Sequence, residues 1–306
     1  MMVYLDMDPG HDDALALLVA LKTFPVAAVT TVAGNQTVDK TFLNARRILH
    51  LAGRPEIPVY RGADAPLFYP LVVADTVHGD SGLDGYTFPP LPEADTAGIS
   101  AISWLGRTLT EAEEPIDWIA TGPLTNVARV LLGHPEARRA IRSLTVMGGS
   151  LGTGNITPEA EFNFYVDPDA AQWVLAAGLP LTMVGLDVTR KARLTREDVG
   201  RFIGWGTPVG DALYHLLTFY GRHEPQASDV GMPIHDVLAV AALAIPEVFR
   251  WEWLSLRVFR EDSPLRGASR PSSDGKGPVV RVAVDIDTPR FFEWFWAQLQ
   301  DYRTIG

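Results

Sequence analysis

Short apolar runs, each ended by Gly, Asp, Asn or Thr and followed by a helical pattern, recur along this chain and fix its fold class. Strand-like runs occur at Val3-Tyr4-Leu5, 26–33 (VAAVTTVA), 116–121 (IDWIAT), 143–147 (SLTVM) and 180–186 (PLTMVGL). Helical patterns follow at 12–22, 38–52, 97–112, 124–132 and 168–177. The last has a complete start and stop: Asp167 as N-cap, Pro168 at the first helical position and Gly178 just past the end. Runs that are apolar throughout mark strands buried on both faces. Their alternation with helices predicts an α/β fold, an open, mostly parallel Rossmann-like sheet flanked by helices. Two late candidates, 254–260 and 278–286, flank the polar stretch EDSPLRGASRPSSDGKG. They read as a pair joined by a long loop, with an aromatic helix after them at 289–300. With no internal repeat and no linker, residues 1–306 read as a single domain.

In such sheets ligands bind at the carboxyl ends of the strands. Those ends carry DMDPGHDD, VAGN, IATGPLTN, VMGGS and VGLD, which points to one site assembled from many loops along one rim. Composition narrows its chemistry. The chain has 306 residues, 47% of them hydrophobic, enough for a full core. With 26 Lys and Arg against 37 Asp and Glu the formal charge is −11, which argues against a nucleic-acid backbone or an anionic membrane as partner. There is no cysteine, which excludes disulfides, zinc–thiolate sites and thiol catalysis. Charges interrupt every hydrophobic run and no basic segment precedes an apolar one at the start, so the cytoplasm is the expected location.

The opening acids are the first candidate residues. Asp8 sits just past a strand, while Asp12 and Asp13 begin a helix. A helix cap and a dipole partner account for two acids but not for a third against the same turn. Three carboxylates this close repel unless protonated or neutralised, and a divalent cation neutralises them most simply. Oxygen-only ligands favour Ca²⁺ or Mg²⁺ over zinc. LDMDPG also superficially matches the nucleophile loop of aspartate-dependent phosphatases, but Gly10 stands where that loop needs Thr or Val. In GMPIHDVLAV, adjacent residues at a helix start point about 100° apart. Asp236 is thus free to join the metal while His235 faces a substrate. In GNITPEAEFNFYVDP, Glu161 and Asn163 alternate with Phe162 and Phe164, which in extended chain puts both polar groups on one face, suited to a vicinal diol. Asn155 lies within reach in a Gly-rich turn, and His78 lies in the Gly-rich loop DTVHGDSGLDG.

Taken together, DMDPGHDDALAL, VAGN, VHGDSGLDG, TGPLTN, VMGGS, GNITPEAEFNFYVDPDAA and PIHDVLAV resemble the nucleoside hydrolases in order and rough spacing, from residue 3 to about 290. The weakest match is DSPLRGASRPSSDGKGP, where that family usually continues with a more apolar strand. The resemblance implies a Ca²⁺ held by Asp8, Asp13, Asp236 and the backbone carbonyl of Thr121. It implies ribose contacts from Asp12, Asn35, Asn155, Glu161 and Asn163, with Met147 lining the ribose side. His78 and His235 would approach the base, with loops near 75–85 and 205–232 around it, and His235 would protonate the leaving group. It further implies a homodimer or homotetramer and a role in purine and pyrimidine salvage.

The chemistry of N-glycoside cleavage fits these residue types. It passes through an oxocarbenium-like ribosyl cation attacked by water. A cation that binds water and the 2′,3′-diol fixes nucleophile and substrate together, and Asp8 beside that water is placed to act as general base. The expected activity is therefore hydrolysis of ribonucleosides to free base and ribose. A catalytically silent nucleoside-binding protein and a calcium-stabilised structural protein are the alternatives. Release of free base separates the first, and nucleoside affinity the second.

Overall fold

The computed structural model describes residues 2–92, 96, 98–225, 227, 231–272 and 275–304. Its centre is strand β1 (Val3–Met7), buried along its whole length. Next to it on one side lie β2 (Val26–Thr31) and β3 (Val59–Arg61). On the other lie β4 (Ile116–Ala120), β5 (Ile141–Met147) and β6 (Leu181–Val184). A separate ribbon pairs β7 (Arg193–Leu194) with β8 (Met232–Pro233). The main sheet ends in β9 (Phe249–Val258), β10 (Ser269–Pro271) and β11 (Val279–Ile286), giving the order β10-β9-β11-β6-β5-β4-β1-β2-β3. All pairings from β3 through β11 are parallel, and only β9 runs against its neighbours.

The chain leaves β1 toward β2 and β3 and returns to β4 on the opposite side, so the order reverses at β1. A crevice opens at such a reversal, outside the carboxyl ends of the strands. Register aligns those ends: Asp6 lies opposite Thr30 on β2 and Ala120 on β4. The segments that follow β1, β2, β4 and β5 therefore emerge on one rim.

Alternation along β1 sends side chains into two cores. Leu5 and Met7 pack with the helix His11–Thr23 and the helix Val237–Ala244, while Tyr4 joins the helices Ala101–Glu111, Thr125–Gly133 and Pro168–Leu175. Every residue from His11 to Leu21 is buried, so this first helix is core on all sides. It can carry acids only because they sit at its cavity end. No helix among the described residues is long and apolar enough to cross a membrane.

Three expectations change. The alternating stretch after Glu161 is a short helix, Phe162–Val166, not extended chain, because the Glu161 carboxylate caps it. The supposed loop at 205–232 is mostly a 16-residue helix, Pro208–His223, with Thr207 accepting from the Gly210 amide; residues 226 and 228–230 of that stretch lie outside the described residues. The two late strands do pair, antiparallel, but the connection between them adds β10 to the outer edge of β9, with Ser269 opposite Val258. Residues 273–274 of that connection lie outside the described residues. A three-residue strand carrying Arg270 and Pro271 makes a blunt sheet edge.

Candidate functional site

A cavity of about 180 Å³ opens on the rim where β1, β4 and β5 end. Its floor is acidic. Asp12, Asp13 and Asp236 each place a carboxylate oxygen within 4.8 Å of the others. Asp13 is fully engaged: Oδ2 accepts from the Gly10 amide and from Asn35 Nδ2, both at 3.1 Å, and Oδ1 accepts from Thr121 Oγ1 at 2.7 Å. It also shares a hydrogen bond with Asp236. Asp8 stands beside this trio. The Asn35 amide donates to its Oδ2 at 2.7 Å, while its Oδ1 is buried with no hydrogen-bond partner.

The glycines of the rim motifs permit this crowding. A Cβ on Gly34 would lie 2.1 Å from Asp8 Oδ2, and one on Gly122 2.8 Å from Asp8 Oδ1. One on Gly10 would lie 2.7 Å from the His78 ring. VAGN and TGPLTN thus place backbone, not side chains, against the acids.

Burial and mutual repulsion push the Asp8, Asp12 and Asp236 carboxyls well above the usual carboxylate range; burial raises Asp13 too, against its hydrogen bonds. Among the described residues no ion pair reaches any of the four. Buried charges without a counter-charge are costly. An unpartnered Asp8 oxygen at the edge of a crowded oxygen cluster is what a hard divalent cation relieves, so the donor set fits such an ion.

A second side of the cavity comes from β5 and the helix after it. Met147 ends β5 and lines the cavity. Asn163 Nδ2 donates to the Thr121 carbonyl at 2.7 Å and to the Met147 carbonyl at 3.2 Å, tying the ends of β4 and β5 together. Glu161 also lines the cavity, but its carboxylate accepts from the amides of Asn163, Phe164 and Gly149. Burial raises it to about 7 against those bonds. Asn35 likewise spends its Nδ2 on the Asp8 carbonyl and Asp13. Both residues therefore hold the frame as well as facing the cavity. Asn155 sits exposed at the mouth, its Oδ1 accepting from the Phe162 amide.

The opposite wall is mostly imidazole and aromatic. His235 precedes Asp236, the N-cap of Val237–Ala244. Its Nδ1 lies 2.7 Å from Thr189 Oγ1, and its Nε2 is buried without a partner. Burial, reinforced by the charges of Arg190 and Arg193, lowers the ring to about 3, so it is a neutral imidazole. His78, at the end of the short helix Asp75–His78, lines the same wall with Tyr220 and Glu224.

All the proposed site residues thus gather in and beneath one cavity: Asp12, Asn35, His78, Thr121, Met147, Asn155, Glu161, Asn163, His235 and Asp236 line it, and Asp8 and Asp13 lie against its floor. Sequence reasoning missed Tyr220 and Glu224, which come from the unrecognised helix and its end, and His11 and Thr189, which act behind the wall. The Thr207-Pro208 start signal was there to find that helix.

Comparison with known proteins gives one picture. The family model described as inosine-uridine preferring nucleoside hydrolase matches residues 3–293. The pyrimidine-specific ribonucleoside hydrolase RihA of Citrobacter koseri is 43% identical over 98% of both chains. Its namesake in Escherichia coli O1:K1 / APEC is 42% identical with the same coverage. Among solved structures, the purine-preferring ribonucleoside hydrolase from Gardnerella vaginalis superposes with a TM-score of 0.92 at 29% identity, covering 100% of each chain. The plant nucleoside hydrolase PpNRh1 gives 0.90 at 30% identity, covering 97% of this chain and 98% of that one.

Proposed function

This chain belongs to the inosine-uridine preferring nucleoside hydrolase family and hydrolyses the N-glycosidic bond of ribonucleosides to free base and ribose, and from that premise we propose how it does so and on which substrates. Asp8, Asp13, Asp236 and the Thr121 carbonyl are the proposed holders of a Ca²⁺ ion. When bound, the ion supplies positive charge to the acid cluster and a site for the ribose diol and a water. The observation that carries this reading is the unpartnered Asp8 Oδ1 beside three crowded carboxylates.

The rest is work for the chain's own groups. Asp12, Asn155, Glu161 and Asn163, with Met147 and Asn35, surround the ribose and fix its hydroxyls. Asp8 takes the proton from the attacking water as its oxygen bonds to the anomeric carbon. The carboxylates beneath the sugar favour the positive charge that develops as the bond to the base breaks. His235 and His78 meet the base. His235, neutral in the resting protein, donates a hydrogen bond from Nε2 to the departing nitrogen when Thr189 donates to its Nδ1; the base leaves with the bonding electron pair and takes its proton from solvent, which receives in exchange the proton Asp8 took from the attacking water.

Pyrimidine ribonucleosides are the proposed substrates, supported by relatives of that description at 41–43% identity. One domain over 1–306, a homodimer or homotetramer, and a cytoplasmic salvage enzyme complete the proposal; a sheet that runs from residue 3 to 286 supports the first. A panel of ribonucleosides and 2′-deoxynucleosides, assayed for reducing sugar with Ca²⁺ and after chelation, tests it. Expected are release from uridine and cytidine above purine nucleosides, rates lowered about 5–150-fold without the 2′-hydroxyl, and recovery by Ca²⁺. Full activity in metal-stripped protein would sink the metal assignment.

A further inference from the structure

The stretch that fits the family pattern least, DSPLRGASRPSSDGKGP, lies against the framework of the cavity. Its strand β10 seats Ser269 beside the end of β5: a Cβ on Gly149 would lie 2.9 Å from Ser269 Oγ. That hydroxyl accepts from the Ser150 amide and donates to the Ser150 carbonyl, both at 2.9 Å. The next residue continues the pattern. Arg270 Nη1 donates to the Leu151 carbonyl at 3.2 Å and to the Gly152 carbonyl at 2.7 Å, while Nη2 pairs with the Glu159 carboxylate. From the other side, Arg190 Nη1 donates to the Thr153 carbonyl and hydroxyl, both at 2.8 Å, and Nη2 to the Gly154 carbonyl. Five successive carbonyls, 150 to 154, thus each accept from a side chain.

The chain from 148 to 161 forms neither helix nor strand, so its backbone groups need partners of this kind. A guanidinium is a rigid planar fork, and the carbonyls it holds are fixed in direction as well as distance. Arg270 also closes the loop, since it grips Leu151 and Gly152 near one end and Glu159 near the other. Between them the chain doubles back: the Gly154 amide donates to the Pro158 carbonyl at 2.9 Å and the Asn155 amide to the Ala160 carbonyl at 3.0 Å. A Cβ on Gly154 would lie 2.0 Å from the Ala160 carbonyl oxygen, so this approach leaves no slack. At its turn the loop carries Asn155, at the mouth of the cavity. The Asn155 Oδ1 accepts from the Phe162 amide at 2.8 Å, which leaves Nδ2 as the donor offered to a ligand.

We propose that Arg270, with Ser269, is a positioning residue: from outside the cavity it braces the 150–159 loop so that Asn155 Nδ2 meets the sugar hydroxyl nearest the mouth. The inference rests on the nucleoside reading of the cavity. With the 2′,3′-diol on the acidic floor, that hydroxyl is the 5′. Neither Ser269 nor Arg270 touches the substrate. Strand β10 therefore serves the reaction through the loop it supports, and not only as a sheet edge.

The test compares uridine with 5′-deoxyuridine in the Ca²⁺-loaded protein. In Arg270→Met, which keeps the length but removes every donor, kcat/KM for uridine should fall about tenfold, the scale of one hydrogen bond. The value for 5′-deoxyuridine should hardly change. Asn155→Ala should show the same selective loss, and adding Arg270→Met to it should cost little more, because both remove one contact. Arg270→Lys, which keeps the charge beside Glu159 and can reach one carbonyl, should show a smaller loss, still confined to uridine. Equal loss on both substrates overturns the proposal, as do no loss, additive losses in the double variant, or a native enzyme indifferent to the 5′-hydroxyl. If Arg270→Met does not fold, Arg270→Lys is judged by the same comparison, and equal losses or none overturn the proposal. Amide exchange at Gly154 and Asn155 reads the brace without turnover and should quicken in the Arg270 variants; unchanged exchange overturns the proposal. A native protein that hydrolyses no ribonucleoside would defeat the nucleoside reading and leave the exchange result standing.

Discussion

The floor and the far wall of this cavity are built on opposite electrostatic terms. The floor crowds Asp8, Asp12, Asp13 and Asp236 together under burial that resists their ionisation. On the wall, burial lowers the rings of His11, His78 and His235, whose nitrogens meet the Asp84 carbonyl, one another (His11 and His78) and the Thr189 hydroxyl. The floor needs something from outside the chain to become stable when charged; the wall does not. That division suits a reaction in which positive charge grows on the sugar while a neutral base must be recognised and released.

Removing charge from the floor should have the largest effect. Asp8→Asn preserves the shape and the bond from the Asn35 amide but cannot take a proton. A loss of about 10²–10⁴-fold in kcat is expected, more if the ion is also lost. Asp236→Asn should act chiefly through the metal, so Ca²⁺ titration should show weakened binding and excess Ca²⁺ should recover part of the rate. Near-native turnover by Asp8→Asn would leave the floor without its catalytic role.

The wall should discriminate where the floor cannot. His235→Ala should cost about 10²–10⁴-fold on natural nucleosides, the scale of losing a positioned hydrogen donor to the leaving group. It should largely spare p-nitrophenyl riboside, whose leaving group departs as a stabilised anion. Asp8→Asn should damage both substrates, because water must attack in either case. Equal losses for His235→Ala on both would assign the ring to holding the sugar or Asp236.

The two regions also differed in how far the sequence disclosed them. Three of the floor's acids lie within six residues of one another, and the fourth follows a recognisable helix start, so local pattern was enough. The strands beneath it were equally legible, since burial on both faces writes them as unbroken apolar runs. The wall is assembled from residues 11, 78, 189, 220 and 235, and no local spacing links them. His11 had no visible partner until the loop at 75–85 folded over it. The Glu161–Phe164 alternation misled because four residues fit a strand or a helical turn alike. The Gly149 amide, distant in sequence, helps to settle it as a capped turn.

Stability against pH should separate the regions again, with a smaller effect. Burial raises Asp6 and Glu161 to about 7. A carboxyl whose folded pKa is raised holds its proton longer in the folded state. Its contribution is complete below the unfolded value, about 4, and is lost as pH rises through about 7. The floor acids shift in the same direction. Metal-free protein should therefore lose stability from mildly acidic pH toward pH 8, by on the order of 4 kcal/mol or less per group. Saturating Ca²⁺ should flatten the floor's part of that slope but not that of Asp6, which bonds to Thr30 and Asn126 below it. Asp6→Asn should remove the Asp6 part of the remainder and leave that of Glu161. A Tm that rises over this interval in metal-free protein would contradict the buried, protonated floor.

The smallest effect should come from Thr189, which touches no substrate. Its hydroxyl stands 2.7 Å from His235 Nδ1. If Thr189 donates there, Nε2 carries the hydrogen and faces the base as a donor; if it accepts, Nε2 faces the base as a lone pair. Thr189→Val removes the hydroxyl while keeping the branched shape, so the buried turn Leu186–Thr189 should persist. Free of that bond, the ring divides between tautomers, and about tenfold in kcat on uridine should be lost, the scale of one hydrogen bond. Thr189→Ser keeps the hydroxyl and should retain the rate. The loss should again be absent with p-nitrophenyl riboside, since only a poor leaving group needs the Nε2 hydrogen. Equal loss on both substrates would mean that Thr189 supports the position of the ring, and with it Asp236 on the floor, more than the placement of its proton.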